Sequence, residues 1–353
     1  MGEKVLMKGN EAIAEAAIRA GCRYFFGYPI TPQSELPAYL ARKFPEVGGT
    51  FVQAESEVAA SNMIYGAAGA GARVLTSSSS PGISLKAEGI SYIAGAELPA
   101  VIINIMRGGP GLGSIQPSQA DYFQATKGMA HGDFRLTVLA PSTVQEAVDL
   151  TMEAFEIADR YRNPVLIVGD GIIGQMMEPV EFKEAVDPDE LPKKEWATDG
   201  AKGREPNVIN SLALEPQDLE DHNMKLKAKY DKMKEEEVRY EELYTDDADI
   251  IIVAYGTTAR ISSRAIEMAR KEGYKVGMIR PITLFPFPTD IISETADRVD
   301  DFLAVEMSTG QMVEDVRLAV NGKKPVHFYG RTGGVVPSPE EIVEKIKEIG
   351  GEK

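Results

Sequence analysis

Short apolar runs alternate with amphipathic stretches over the first half of the chain. The apolar runs are bounded by glycine or proline, as buried parallel strands are, and the stretches between them repeat apolar residues at helical spacing. The pattern predicts strands at 24–28, 50–53, 74–77, 100–106, 136–140 and 164–168. It predicts helices near 11–20, 33–44, 55–70, 82–94, 119–127 and 143–161. This alternation is typical of an α/β fold with an open, doubly wound parallel sheet.

The pattern changes at 177 and resumes at 248. Residues 177–247 are rich in charge, and they predict one long polar helix over Asp218–Tyr244. The later pattern predicts strands at 249–255, 275–280, 302–306 and 326–329, and helices at 258–272, 310–320 and 338–349. We therefore predict a domain at 1–176, a charged helical excursion at 177–247 that packs on a partner, and a smaller α/β domain at 248–353.

Composition narrows the function classes. The chain has 353 residues, 43% of them hydrophobic, and a formal charge of −16, which disfavours nucleic acid as a partner. No apolar run approaches the roughly 18 residues of a membrane helix. The N-terminus lacks the apolar segment of a signal peptide, so we expect a cytoplasmic protein. The three histidines are far apart and show no zinc-binding spacing.

The single cysteine, Cys22, limits the redox chemistry of the chain. One cysteine excludes an intrachain disulfide, and it excludes an iron–sulfur cluster ligated by cysteines of this chain alone. Because Cys22 lies between a helical pattern and an apolar strand, we expect it to be a small core residue.

The segment Tyr24–Glu35, with the sequence YFFGYPITPQSE, predicts a strand, a stiff loop and the start of a helix. Pro29 and Pro32 fix φ and donate no backbone hydrogen bond. They hold the Thr31 hydroxyl at the carboxyl end of a strand, where α/β sheets bind ligands. The alternative is an ordinary loop in which Thr31 caps the next helix.

Polar side chains also follow the second and third predicted strands. Glu55 and Glu57 open a helix of small residues, where a carboxylate can lie buried against a flat heterocycle. The alternative is that these acids only stabilise the helix N-terminus. Ser77–Ser80 end the next strand in a hydroxyl-rich loop that suits an anion or a polar ligand. The alternative there is an ordinary serine-rich turn.

Arg107 follows the fourth predicted strand, beside the glycine-rich loop Gly108–Gly113. An arginine there suits bidentate recognition of a carboxylate, and the alternative is a surface arginine. Because the carboxyl ends of parallel strands lie at one edge of a sheet, we expect Thr31, Glu57, Ser77–Ser80 and Arg107 to line one site.

These stretches resemble the alpha subunit of 2-oxoacid:ferredoxin oxidoreductases. The matching motifs are Gly27–Glu35 (GYPITPQSE), Glu57-Val-Ala-Ala, Ser78-Ser-Ser-Pro-Gly82, Arg107-Gly-Gly-Pro-Gly, Tyr255-Gly-Thr and Glu306-Met-Ser-Thr-Gly-Gln-Met. The resemblance covers 5–176 and 246–350, and it is strongest to the branched-chain 2-oxoisovalerate type, with the 2-oxoglutarate type next. It implies a thiamine-diphosphate-binding fold with a pyrimidine domain, followed by a smaller transketolase C-terminal-like α/β domain.

The resemblance also implies cofactors, partners and residue roles. Thiamine diphosphate would be shared with a beta subunit that carries the diphosphate–Mg²⁺ domain and an iron–sulfur cluster, and the other partners would be gamma and ferredoxin-like delta subunits, coenzyme A and ferredoxin. Glu57 would be catalytic and would hydrogen-bond N1′ of the aminopyrimidine. It is favoured over Glu55 because Val-Ala-Ala follows it. Thr31 and Arg107 would bind the substrate carboxylate. The expected cofactor-binding residues are Tyr28, Pro29, Ile30, Glu57, Ser78, Ser79 and Ser80.

The implied reaction is oxidative decarboxylation of a 2-oxoacid with coenzyme A, giving acyl-CoA, CO₂ and reduced ferredoxin. Arg107 is the one obvious cation of the candidate loops, whose other members include apolar residues, so we expect a branched substrate such as 2-oxoisovalerate. A dicarboxylate would need a second cation, from a partner or from Lys86 or Lys127. Two alternatives stay open: a 2-oxoglutarate:ferredoxin oxidoreductase subunit, and a cluster-free, two-chain transketolase-like enzyme.

Two further features need an interpretation. Gly169-Asp170-Gly171 looks like the start of the thiamine diphosphate metal motif, but residues 194–202 lack the asparagine that this motif needs. We therefore interpret Asp170 as a turn residue and expect no metal on this chain. Arg280, at the end of a predicted strand, has no role that the sequence assigns.

Overall fold

The computed structural model describes residues 4–351. Its strands are β1 Val5–Lys8, β2 Tyr24–Gly27, β3 Thr50–Gln53, β4 Val74–Ser78, β5 Ala100–Met106, β6 Thr137–Leu139, β7 Pro164–Asp170, β8 Met177–Val180, β9 Tyr240–Leu243, β10 Ile250–Val253, β11 Val276–Pro281, β12 Thr283–Phe285, β13 Asp301–Glu306 and β14 Val326–Gly330. Its α-helices are α1 Gly9–Arg19, α2 Glu35–Lys43, α3 Glu57–Gly69, α4 Pro81–Gly95, α5 Tyr122–Thr126, α6 Val144–Tyr161, α7 Gly171–Gln175, α8 Pro216–Glu236, α9 Gly256–Lys271, α10 Thr289–Thr295, α11 Met312–Val320 and α12 Pro339–Gly350.

The larger sheet has the strand order β12-β6-β7-β5-β4-β2-β3. Its strands are parallel except β12, which pairs antiparallel with β6. The central strands β4, β5 and β7 are buried along their whole length, as strands covered by helices on both faces are. The predicted α/β fold with a doubly wound sheet is confirmed.

The chain changes direction in this sheet between β2 and β4. From β2 the chain passes through α2 to β3 at the sheet edge, and it then returns through α3 to β4 on the other side of β2. Open α/β sheets bind ligands in the crevice at the carboxyl ends of strands where the order reverses. The loops after β2 and β4 therefore form the expected ligand-binding crevice of this sheet.

The smaller sheet has the order β14-β13-β10-β11-β9, and its edge strand β9 is antiparallel to β11. The predicted helix Asp218–Tyr244 is wrong in its last part, because α8 ends at Glu236 and Tyr240–Leu243 forms β9. Three of the four β9 residues are exposed, so the edge strand shows no alternation of apolar and polar residues. The backbone ladder to β11 creates this strand.

Several contacts connect the two sheets. Strand β12 comes from the later part of the chain but joins the larger sheet. Gln119 is fully buried, and its amide accepts from the backbone N–H of Met307 at 3.0 Å and donates to the carbonyl of Tyr255 at 2.8 Å. Helix α8 buries Leu226 and Tyr230 in the core of the larger sheet. The division at 177 and 248 stays a prediction.

Cys22 is fully buried in the core of the larger sheet. Burial raises the pKa of its thiol to about 12, which makes it a poor nucleophile. The prediction of a small core residue is confirmed.

Candidate functional site

Glu57 is the first residue of α3 and lies at the switch point of the larger sheet. The side chain of Ser56 caps the helix by accepting from the backbone N–H of Ala59 at 3.1 Å, so Glu57 is not needed as a cap. Glu57 is only 6% exposed. A Cβ placed on Gly82 would lie 2.8 Å from its Oε1, which shows that the carboxylate packs on the first turn of α4. Glu55 is exposed.

Lys86 lies one turn further along α4 and is fully buried. Its Nζ donates to Thr76 Oγ1 at 2.9 Å. Burial lowers the pKa of Lys86 to about 8, and the nearby charge of Glu57 opposes this shift. A lysine held in this way is not available to a substrate, so the suggestion of Lys86 as a cation for a dicarboxylate is wrong. Lys127 pairs with Asp315 instead.

The serine loop after β4 divides into two parts. Ser78 and Ser79 are buried, and their hydroxyls have no hydrogen-bond partner among residues 4–351. Ser77 Oγ bonds to Gln33 Oε1 at 2.5 Å, which leaves the Gln33 Nε2 group without a described partner. Buried polar groups without partners are rare and indicate a missing ligand or water. The ordinary serine-rich turn does not explain these atoms.

Ser80 has a different role, because its hydrogen bonds are already made. Its Oγ donates to Asp121 Oδ2 at 2.6 Å and accepts from the backbone N–H of Arg107 at 3.0 Å. Asn104 contributes a further bond to Asp121 at 2.9 Å and accepts from the Ser80 backbone at 3.0 Å. These bonds hold Ser80 at φ 23°, a strained conformation of the kind that persists at functional sites. Burial raises the pKa of Asp121, although both hydrogen bonds oppose this.

Arg107 is 8% exposed, so the surface-arginine alternative is wrong. Its Nη1 donates to the Thr31 carbonyl at 2.9 Å and its Nη2 to the Leu112 carbonyl at 3.3 Å, while its Nε has no partner among the described residues. The structure therefore brings Thr31 and Arg107 together, as predicted. Thr31 is exposed and does not cap α2, whose N-cap position is Ser34.

The remaining predicted cofactor residues lie on the loop after β2. Tyr28 and Pro29 are exposed and line a cavity of about 210 Å³ with Phe51 and Gln53, and Ile30 is half-buried. Sequence reasoning missed the roles of Gln33, Asn104 and Asp121. Gln33 stood inside a quoted motif, but no local signal indicates that Asp121, 41 residues beyond Ser80, bonds to it.

Three further residues named in the sequence analysis make structural contacts. Asp170 caps α7 by accepting from the backbone N–H groups of Ile172 and Ile173, as a turn residue does. Glu306 is fully buried and caps α11, with Met312 N at 2.9 Å. The Arg280 guanidinium bonds to both Glu146 oxygens at 2.9 Å and to Glu241 at 2.8 Å.

Residues 4–351 show neither a metal cluster nor a membrane-spanning helix. They contain no group of three or more histidine, cysteine, aspartate or glutamate side chains arranged for a metal ion. None of the described helices is long and apolar enough to cross a membrane.

Sequence comparison identifies two family domains. Residues 15–245 match the family described as pyruvate flavodoxin/ferredoxin oxidoreductase, thiamine diphosphate-binding, and residues 248–342 match pyruvate:ferredoxin oxidoreductase core domain II. Among curated proteins, the chain is 54% identical over 348 residues to the ketoisovalerate oxidoreductase subunit VorB of Methanothermobacter thermautotrophicus, covering 98% of each chain. It is 36% identical to the 2-oxoglutarate synthase subunit KorA of the same organism, covering 99% of this chain and 100% of that one.

Solved structures share the fold. One is the 2-oxoglutarate:ferredoxin oxidoreductase of Magnetococcus marinus, at a TM-score of 0.86 and 24% identity; the match covers 98% of this chain but 65% of that one. A split-gene transketolase matches at a TM-score of 0.61 and 16% identity, over 99% of this chain and 98% of that chain. The family matches and the full-length relatives agree with the motifs at the switch point, and the chain belongs to the thiamine-diphosphate-binding subunits of the 2-oxoacid:ferredoxin oxidoreductase family.

Proposed function

We propose that this chain forms the pyrimidine-binding side of a thiamine diphosphate site in a multi-subunit 2-oxoacid:ferredoxin oxidoreductase. The observation that carries the proposal is a set of unpartnered buried atoms at the end of β4 and on the loops that follow β2, β4 and β5: the amide nitrogen of Gln33, the hydroxyls of Ser78 and Ser79, and the Arg107 Nε. They fit a polar heterocyclic ligand with an anionic substrate beside it. When bound, thiamine diphosphate supplies a nucleophilic carbon for addition to the 2-oxoacid carbonyl.

In this proposal each residue of the site has a separate role toward thiamine diphosphate. The Glu57 carboxylate would accept a hydrogen bond from the ring nitrogen N1′ and would hold the proton there. Ser78 and Ser79 offer hydroxyls to the ligand, and the stiff loop of Tyr28, Pro29 and Ile30 packs along it. Ser80 acts indirectly, because its hydroxyl is already bonded to Asp121 and to the Arg107 backbone.

Arg107 and Thr31 form the candidate carboxylate site. The free Nε–H of Arg107 and the exposed hydroxyl of Thr31 are donors for the carboxylate next to the reacting ketone. Backbone carbonyls fix the two Nη atoms, so the guanidinium is held in place before substrate arrives. Pre-positioned donors of this kind lower the entropic cost of binding.

The preferred substrate in this proposal is a branched 2-oxoacid such as 2-oxoisovalerate. Two relatives, at 54% and 52% identity, are ketoisovalerate oxidoreductase subunits, whereas the 2-oxoglutarate synthase subunits match at 36%. In addition, Lys86 is sequestered in the core and Lys127 is paired with Asp315, so neither offers a second cation. A buried second carboxylate would then be left unpaired.

The proposal includes partner chains. One cysteine cannot by itself ligate a cluster, so the iron–sulfur cluster belongs to a partner chain. The family resemblance assigns it, together with the diphosphate–Mg²⁺ domain, to a beta subunit and adds gamma and ferredoxin-like delta subunits. Coenzyme A and ferredoxin complete the reaction, which we place in the cytoplasm. The purified single chain should be colourless and inactive. A brown chain with broad visible absorption would contradict this assignment.

The test of function compares two glutamates in the purified complex. Glu57→Gln should lower ferredoxin reduction by about 10²–10⁴-fold, because the side chain no longer positions the proton. Glu55→Gln is the matched control, since Glu55 is exposed two residues away, and it should keep near-normal turnover. Glu57→Gln activity within a few-fold of wild type would refute the catalytic assignment.

Competition assays on the same complex test the substrate. The kcat/KM for 2-oxoisovalerate should exceed the values for 2-oxoglutarate and pyruvate, and a higher value for either competitor would overturn the preference. Ketol transfer without ferredoxin reduction would support the transketolase-like alternative instead.

A further inference from the structure

One face of α4 carries two glycines with a lysine between them. Gly82, Lys86 and Gly89 are spaced by four and three residues, so they share a face of the helix. A Cβ on Gly82 would lie 2.8 Å from Glu57 Oε1, and a Cβ on Gly89 would lie 2.3 Å from Ser61 Oγ. The two glycines bring α4 close against α3. The side chain between them therefore lies in the seam that also contains Glu57.

Lys86 is the one lysine among residues 4–351 that is buried. Its Nζ bonds to Thr76 Oγ1 at 2.9 Å, and Thr76 in turn donates to the Phe26 carbonyl at 2.6 Å. None of these groups carries a negative charge. The charge that acts on Lys86 is that of Glu57. Both side chains are buried along this seam, and neither forms an ion pair with another described side chain.

We propose that Lys86 is a positioning residue whose ammonium is the buried counter-ion that keeps the Glu57 carboxylate ionised and fixed before any ligand binds. Leaving one charge of a buried pair without its partner is strongly unfavourable, and the lone group neutralises instead. Without Lys86, the Glu57 carboxyl would therefore take up a proton inside the fold. The importance of this pair for turnover rests on the proposed function, because only that function needs an ionised Glu57.

The other titratable groups on these elements do not replace Lys86. On α4, Glu88 is exposed and bonded to Tyr92. On α3, Tyr65 has a pKa raised by burial and stays neutral. Beyond β5, Arg107 is committed to backbone carbonyls. Strands β4 and β2 place Thr76 and a carbonyl against Lys86, and neither titrates.

The test reads the ionisation of Glu57 from stability. Denaturant unfolding of the full-length chain is measured from pH 5 to 8 for wild type, Glu57→Gln, Lys86→Met and the double variant. If the folded chain holds an extra proton on Glu57, the unfolding equilibrium constant of Lys86→Met, relative to the double variant, should rise by up to about tenfold per pH unit. The same comparison with Lys86 present should be flat, because Glu57 is ionised in both states.

Controls separate charge from packing. Lys86→Arg should restore the flat profile, since it keeps the cation, and Lys127→Met should leave it flat, since Lys127 pairs with Asp315. If Lys86→Met does not fold, Lys86→Gln takes its place. A flat profile after removal of Lys86, or a slope while Lys86 is present, would overturn the inference.

A second measurement keeps this inference separate from the proposed function. Titration of thiamine diphosphate into the cofactor-depleted complex should show binding by wild type and weaker binding by Lys86→Met at pH 7. No binding by wild type would reject the proposed function, while the unfolding comparison would still decide the role of Lys86.

Discussion

Gly82→Ala tests whether the position of Glu57 controls catalysis. The added methyl would lie 2.0 Å from Ser78 Oγ and 2.8 Å from Glu57 Oε1. Since an ordinary non-bonded separation is about 3.5 Å, the serine oxygen must move by about 1.5 Å and the carboxylate by about 0.7 Å. Ser78 can rotate, because its hydroxyl has no partner among the described residues. Glu57 lies between α3 and α4, so under the proposed function this shift displaces the carboxylate that bonds the cofactor.

A displacement approaching 1 Å costs about 100-fold in rate, so we expect kcat/KM to fall by about 10- to 100-fold. The free energy of unfolding should fall by about 1–3 kcal/mol from overpacking, offset by up to about 1 kcal/mol from replacing a helical glycine. Ferredoxin reduction by the complex and denaturant unfolding measure the two effects.

The matched control for Gly82→Ala lies on the same helix. A Cβ on Gly95 would meet Ser211 Cβ at 3.4 Å, an ordinary contact, so Gly95→Ala should change neither rate nor stability by much. If Gly82→Ala keeps the activity of Gly95→Ala while thiamine diphosphate still binds, the packing of Glu57 on α4 does not matter for catalysis.

Three further outcomes are expected. Arg107→Met should raise KM for the 2-oxoacid about 10- to 100-fold and leave KM for coenzyme A unchanged, because a charge-assisted carboxylate contact is worth about 1.5–3 kcal/mol; equal changes in both would mean a structural role. Arg280→Met should lower the free energy of unfolding by about 2 kcal/mol or more, since it leaves Glu146 without its buried partner. Arg264→Met, which breaks an exposed pair, should cost less than about 1 kcal/mol, and similar losses in denaturant unfolding would contradict this. Burial lowers the pKa of Lys86 from 10.5 to about 8. The folded chain thus loses that proton first, and the stability of wild type relative to Lys86→Met should rise between about pH 8 and 10.5; a constant difference would count against it.

The central strands could be predicted from sequence, because a strand that is buried on both faces consists almost entirely of apolar residues. The predicted 100–106 is the observed β5, and the predicted 164–168 lies within β7. The edge strands β9 and β12 show no such run. In β9 only Leu243 is partly buried, and β12 is three residues long and belongs to the sheet of the other half of the chain. Their existence depends on backbone pairing with strands that are distant in sequence.

The site could be predicted in outline, because parallel strands bring their carboxyl ends together whatever their side chains are. This argument placed Thr31 beside Arg107, and their observed hydrogen bond has a length of 2.9 Å. Strand order alone does not indicate which hydroxyls of Ser77–Ser80 lack a hydrogen-bond partner. That choice depends on Asp121, which reaches Ser80 through a loop whose path only the folded chain defines.

The hydrogen bonds separate the serine that is fully bonded within the fold from the two serines that are not. The Ser80 hydroxyl is hydrogen-bonded to Asp121 and to the Arg107 backbone, and the Ser80 backbone has a strained φ. Ser78 and Ser79, equally buried and adjacent in sequence, have no described partner. Folding alone does not reward two buried, unpaired hydroxyls. In the proposed function, a ligand supplies the missing bonds to these two hydroxyls, which lie next to the fully bonded Ser80.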